Sequence, residues 1–196
     1  IGGLTGALFS EFALTLATGG LDGSFEDRGD SETRSWSGYG ELVWAPATTF
    51  EVTADLRYTR DRKNIDSSQT ASGLYSSIVG LPNISLDTSN TFDNWSPGIT
   101  LAYKPDDALT LFAKYVRGFR AGGFNTLAYD PALLPYESEE ADNYELGGKT
   151  QLFDRRVELG ASIFYLRIDN ALVPQEEEGP LTSLFPLQNG GMAETT

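Results

Sequence analysis

Residues 48–63, TTFEVTADLRYTRDRK, place Phe50, Val52, Ala54, Leu56 and Tyr58 on one parity and Glu51, Thr53, Asp55, Arg57 and Thr59 on the other. Strict two-residue alternation is the signature of a strand with one apolar and one polar face. A strand of a soluble sheet usually runs about five or six residues, but this pattern holds from Phe50 to Thr59, and the apolar face begins and ends on an aromatic ring. Such a face calls for an apolar surround as thick as the strand is long.

The same design recurs along the chain. On one parity, large residues stand eight apart in Trp36 and Trp44, Phe50 and Tyr58, Trp95 and Tyr103, Tyr144 and Leu152, and Val157 and Tyr165. Eight residues of strand rise about 26 Å, and a tilt near 40° projects that to roughly 20 Å, close to the apolar band between the aromatic girdles of a membrane barrel. Between these limits the same parity carries Gly38, Gly40, Leu42, Val52, Ala54, Leu56, Pro97, Ile99, Leu101, Leu146, Gly148, Thr150, Leu159, Ala161 and Ile163, with no charge. The opposite parity carries Glu41, Glu51, Asp55, Arg57, Lys104, Lys114, Glu145, Lys149 and Glu158. An uncharged face towards lipid and a charged face towards a lumen follow, because a basic side chain at the bilayer midplane costs about 2–4 kcal/mol. Tyr39, Phe112, Val116, Phe164, Leu166 and Ile168 fall on the inner parity, so packing inside the lumen is expected.

Strand-like runs lie at roughly 3–17, 33–45, 49–62, 92–104, 108–121, 141–152 and 156–169, and an eighth begins near 188. Tight turns are expected at 46–48, 105–107 and 154–155, and long loops at 18–32, 63–91, 122–140 and 170–187. Turns on one edge and loops on the other are the arrangement of outer-membrane barrels, with the loops extracellular. The fold class read from the sequence is therefore all-β: an antiparallel up-and-down meander, a segment of about seven to eight strands from a transmembrane β-barrel.

Composition narrows the function. The chain has no Cys and no His, which removes disulfides, the common zinc ligand sets and Ser-His-Asp chemistry. Lys and Arg total 14 against 28 Asp and Glu, a net charge of −14 that repels nucleic acid. No enzyme activity, cofactor or metal is expected. No apolar run is long enough for a spanning helix, a test blind to barrel strands. With Ile1 at its start, no leader and no plug-like region, residues 1–196 read as an excerpt of a longer chain.

At LTLFAKYVRGFRAGGFN (109–125) and YESEEADNYELGGKTQLFDRRVELGASIFYLRIDNALV (136–173) the sequence resembles the β-barrel of TonB-dependent outer-membrane receptors. The residues that carry the likeness are Tyr115, Gly118, Phe119, Arg120, Gly122, Gly123, Phe124 and Asn125, then Tyr144, Glu145, Gly147, Lys149, Phe164 and Tyr165. ELVWAPATTFEVTADLRYTRDRK (41–63) resembles a hairpin of the same family, and LQNGGMAETT (187–196) the start of a further strand. The resemblance implies a barrel of about 22 strands around a plug, in the outer membrane of a Gram-negative bacterium. It implies as partners membrane lipid and lipopolysaccharide, TonB acting through a plug region outside this chain, and an imported nutrient such as a ferric siderophore.

Arg117 and Arg120, near the outer rim, are candidates to grip an anionic ligand, since guanidinium forks suit carboxylate and catecholate oxygens. Tyr75, Tyr129 and Tyr136, in long loops, are candidate aromatic contacts. Glu176, Glu177 and Glu178 with Asp130 and Asp169 are a weaker cation candidate, set against a simple solvated acidic surface. The alternative function from another class is a soluble secreted β-sheet protein that binds carbohydrate through its loops.

Overall fold

The computed structural model describes residues 6–10, 23–73 and 75–196, with 6–10 and 75 as backbone only. The strands in chain order are β1 (Gly6–Ser10), β2 (Gly23–Ala47), β3 (Phe50–Gly73), β4 (Ile84–Tyr103), β5 (Leu109–Arg120), β6 (Gly123–Phe124), β7 (Pro135–Tyr136), β8 (Glu139–Leu152), β9 (Val157–Asp169), β10 (Leu172–Pro174), β11 (Glu177–Glu178), β12 (Ser183–Leu184), β13 (Leu187–Asn189) and β14 (Ala193–Thr195). Eight of them form one sheet in the order β1-β2-β3-β4-β5-β8-β9-β14, antiparallel throughout. The six short strands pair off as β6-β7, β10-β13 and β11-β12 within the loops.

The register keeps the two parities on two continuous faces. Ala54 lies opposite Leu42 and Ile99, Ile99 opposite Tyr115, Leu146 opposite Ala113 and Ile163. Residues directly opposite in an antiparallel pair point to the same side, so the uncharged parity of the sequence becomes one apolar sheet face. On the other face Glu41 lies opposite Asp55, and Lys114 opposite Thr100 and Glu145. The turns at one edge are short, and Asp106 secures one by accepting from the amides of Ala108 (2.8 Å) and Leu109 (2.9 Å).

The other edge differs from the expectation. The segments read as loops at 18–32 and 63–91 are largely strand: β2 and β3 run 25 and 24 residues and β4 runs 20. Residues 18–22 lie outside those described. The ribbon stands in water on its outward side, so its outward positions are polar and the apolar alternation that marks a strand is diluted. On the inner side burial still alternates, with Ile65, Ser67, Gln69 and Ala71 buried, but Ser67 and Gln69 are polar, so hydropathy does not show it. The genuine connection between β3 and β4 is a short segment with a helical turn at Tyr75–Val79. The strand expected near 188 also resolves differently: β13 pairs with β10 in a loop, and the sheet strand is β14, paired with β9.

Most of what is buried lies at this edge, although Ala102 is buried near the short turns. The loop 121–138 folds inward over β2, β3 and β4, so that a Cβ on Gly29 would touch Thr126 and one on Gly122 would strike Phe92 and the Tyr136 carbonyl. Phe92, Ala128 and Leu134 are buried there. The packing expected from the inner-parity apolar residues is thus supplied in part by the chain's own loop, while Tyr39 is 85% and Phe164 50% exposed on the same face.

Candidate functional site

The outward face carries an aromatic girdle. The rings of Trp36 and Tyr58 are 5.2 Å apart, Tyr58 and Trp95 4.7 Å, Tyr115 and Tyr144 5.1 Å, and Tyr144 and Tyr165 6.3 Å. Trp36 is opposite Arg60, two residues above Tyr58, and Tyr115 is opposite Ile99, four residues below Trp95. Both steps run the same way, the stagger required when tilted strands keep their rings at one depth. Below the girdle a hollow of about 440 Å³ is lined mostly by residues of this apolar face, among them Ile99, Leu101, Ala113, Tyr115, Leu146 and Ile163.

The lumen-side mouth is where a solute would arrive. Two loops close over it. Asn125 donates to the carbonyls of Leu133 (2.7 Å) and Leu187 (2.9 Å) and accepts from the Leu187 amide (2.9 Å). Glu177 accepts from the amides of Tyr129 (2.8 Å) and Asp130 (2.5 Å), which removes it from service as a cation ligand. Glu139 accepts from the Leu172 amide, and Asn189 from the Glu137 amide, both at 2.8 Å. Loop 121–138 and loop 170–192 therefore act as one clasped unit. Among the described residues no group of carboxylates is placed to hold a metal ion.

The candidate ligand residues separate on this frame. Tyr129 is half-buried in the clasp, its hydroxyl donating to the Thr182 carbonyl at 3.1 Å, and burial followed by the Glu177 carboxylate pushes its phenol pKa up. Tyr136 packs its ring end on Gly123, facing Lys63. Arg120 is on the lumen parity, exposed, 3.7 Å from Glu139. Arg117 stands on the parity of Tyr115, chelated by Asp142 through Nε (2.8 Å) and Nη2 (2.9 Å) and 3.3 Å from Glu140. The side chain of Tyr75 lies outside those described. Tyr136 and Arg120 thus sit at the lumen mouth, with Tyr129 in the clasp above them, while Arg117 belongs to the rim. Lys63 is the mouth residue that sequence reasoning missed: it was assigned to a loop, but its odd parity with Ile65 and Ser67 would have turned it inward once β3 was extended.

A one-sided apolar sheet, a stepped girdle, short turns at one edge and clasped loops at the other define a piece of a transmembrane β-barrel wall. The chain belongs to the TonB-dependent receptor family: the family model described as TonB dependent receptor-like, beta-barrel matches residues 4–196. TonB-dependent receptors are Gram-negative outer-membrane proteins and transporters, not enzymes. Among solved structures, the chain is similar to the ferric yersiniabactin uptake receptor FyuA from Yersinia pestis, with 18% identity, TM-score 0.68, and 87% of this chain covering 24% of that one. It is similar to the ferric-catecholate import receptor Fiu from E. coli, with 18% identity, TM-score 0.55, and 82% of this chain covering 24% of that one. It is also similar to the alcaligin outer membrane receptor FauA from Bordetella pertussis, with 18% identity, TM-score 0.50, and 85% of this chain covering 26% of that one. The chain spans about a quarter of the length of each. At this identity the likeness establishes the fold alone. A soluble carbohydrate-binding sheet is set aside by the family membership and by an outward face that leaves Trp44, Leu42, Leu146 and Ile163 exposed.

Proposed function

We propose that this wall segment serves a receptor that imports a scarce nutrient, a ferric siderophore being the first candidate, with energy relayed by TonB through a plug region. The observation that carries the reading is the family match over residues 4–196. The siderophore assignment rests on the uptake named for the similar structures. A plug against the inner face would cover Tyr39 and Phe164, aromatic rings that water solvates poorly.

In this reading the mouth is a cationic and aromatic collar. Arg120 and Lys63 face the lumen and would meet the anionic oxygens of a chelate, with Tyr136 beside Lys63 at Gly123 as a stacking surface and Tyr129 carried on the clasp. Arg117, held by Asp142, would set the rim against which the loop moves. The test is uptake of radiolabelled iron by a strain deleted for the full receptor and complemented with it, offered a panel of ferric hydroxamates, catecholates and phenolates. Complemented uptake of one class, abolished when TonB is deleted, is the expected result. Equal uptake with and without the receptor for every chelate would remove the siderophore reading, and receptor-dependent uptake that persists without TonB would remove the coupling.

A further inference from the structure

The ladder between β4 and β5 is short. It holds from Gly98 opposite Val116 to Tyr103 opposite Leu111, whereas β3 and β4 match without a shift from Phe50 opposite Tyr103 to Gln69 opposite Ile84. The Lys104 amide donates to the Thr49 carbonyl at 2.7 Å, on the β3 side, so even residues of β4 turn their backbone groups towards β3 and odd ones towards β5. Pro97 is odd and has no N–H to give, and the pairing with β5 stops there. Above it β5 runs only to Arg120, level with Asn94 if the register is continued, while β4 goes on to Ile84. From Ile84 to Asp93, β4 is therefore paired with β3 on one side, and among the described residues no strand lies on the other.

This edge is open. Ser85, Asp87, Ser89 and Thr91 are odd and exposed, so their N–H and C=O groups point away from β3. The Thr91 amide is met by Asn90 Oδ1 at 2.8 Å, and no strand receives the other three. Sheets blunt such edges with lysine, proline or a bulge, and Ile84–Asp93 has none of them. Charge sets what fits there. Asp30 lies opposite Asp66, and Asp66 opposite Asp87, three outward carboxylates in one line that ends on the free edge. They line a hollow of about 400 Å³ with Glu32 and Asn64. Like charges directly opposite raise the sheet's energy, and a cationic side chain beside Asp87 lowers it. Asp87 stands eight residues above Trp95, about 26 Å of strand and roughly 20 Å of height at a 40° tilt, so the edge clears the girdle.

We infer that the free edge of β4 at Ile84–Asp93 receives an extended basic peptide from outside the cell, which adds as a further strand and sets a lysine or arginine beside Asp87. The backbone groups of Ser85, Asp87 and Ser89 supply the hydrogen bonds of strand addition, and the carboxylate row with its hollow selects cationic side chains at alternate positions. The inference rests on the outward direction of the long edge of the wall and not on which nutrient is imported.

The experiment uses the full-length receptor in lipid nanodiscs and three fluorescein-labelled peptides: one alternating threonine and lysine, the same peptide fully N-methylated so that it keeps its charge but has no N–H, and one alternating threonine and glutamate. Binding is followed by anisotropy and by hydrogen exchange. The first peptide should bind, slowing exchange at the Ser85, Asp87 and Ser89 amides, and the other two should bind roughly tenfold more weakly or less. Ser89→Pro removes one free-edge N–H without touching a bond to β3, and Asp87→Lys reverses the charge at the end of the row. Each should weaken the first peptide roughly tenfold while the receptor's Tm stays within a degree or two of the parent. Equal binding of the N-methylated peptide would show attraction by charge alone and overturn the proposal. Unchanged affinity in Asp87→Lys, or binding without slowed exchange at the three amides, would overturn it as well.

Discussion

Ile99 and Thr100 are neighbours on β4 that face opposite solvents, and Ile99→Arg against Thr100→Arg measures the difference. Ile99 stands four residues from Trp95 and four from Tyr103, opposite Ala54 and Tyr115 on the apolar face. Four residues of strand are about 13 Å, roughly 10 Å of depth at a 40° tilt. An arginine side chain reaches about 7 Å, so the guanidinium at position 99 stops short of the headgroups and draws water or lipid phosphate inward. The expected loss is about 2–4 kcal/mol, the range for a basic residue near the midplane. Thr100 is opposite Thr53 and Lys114 on the lumen face. The new charge there stays in a polar environment and meets one like charge across the ladder, which together cost up to about 1 kcal/mol. Urea titration of the two full-length variants refolded into lipid vesicles, followed by tryptophan fluorescence, measures both losses. Equal losses, or a larger loss at Thr100, would refute the assignment of faces.

Asp142→Ala should destabilise the receptor by about 1–3 kcal/mol in the same titration, because it leaves the Tyr115 hydroxyl, which donates to Asp142 at 2.8 Å, without its acceptor and the Arg117 guanidinium with Glu140 alone at 3.3 Å. Gly147→Val should cost about 1–3 kcal/mol, since a Cβ there would sit 2.6 Å from the Phe112 ring and 2.8 Å from Ser162; a neutral result would show that Phe112 swings freely into the lumen. Glu177→Ala should speed hydrogen exchange at the Tyr129 and Asp130 amides and protease cutting in 121–138 while the barrel's urea midpoint stays put. A shift of that midpoint instead would make the loop clasp part of the barrel's cooperative unit.

The clasp also marks where reading from sequence stopped. Asn125 is one of the residues that carry the family resemblance, but nothing local relates it to Leu187, which it meets through two hydrogen bonds across 62 positions. Tyr129 and Tyr136 were legible as loop aromatics and Arg120 as a rim cation, while the packing that holds Tyr129 in the clasp and sets Tyr136 beside Lys63 was not. Arg117 and Arg120 looked equivalent in sequence, and an odd spacing of three on one strand sends them to opposite faces.

Alternation alone determined the two faces, the girdle and the antiparallel meander, because a bilayer excludes charge from one parity of every strand and so writes its thickness into the spacing of Trp36 and Trp44 or Phe50 and Tyr58. Above the membrane that constraint lapses. Ribbon and loop are both polar there, and only the pairing of Ile65 with Ser31 and Thr88 and the descent of loop 121–138 onto the inner side decide that 63–73 is strand. Register likewise decided what lies beside what: Arg34 and Arg62 are 28 positions apart in sequence, and their meeting as one outward cluster depends on the hairpin that closes at 48–49. Local physics chooses a residue's face, while the chain's return path chooses its neighbours.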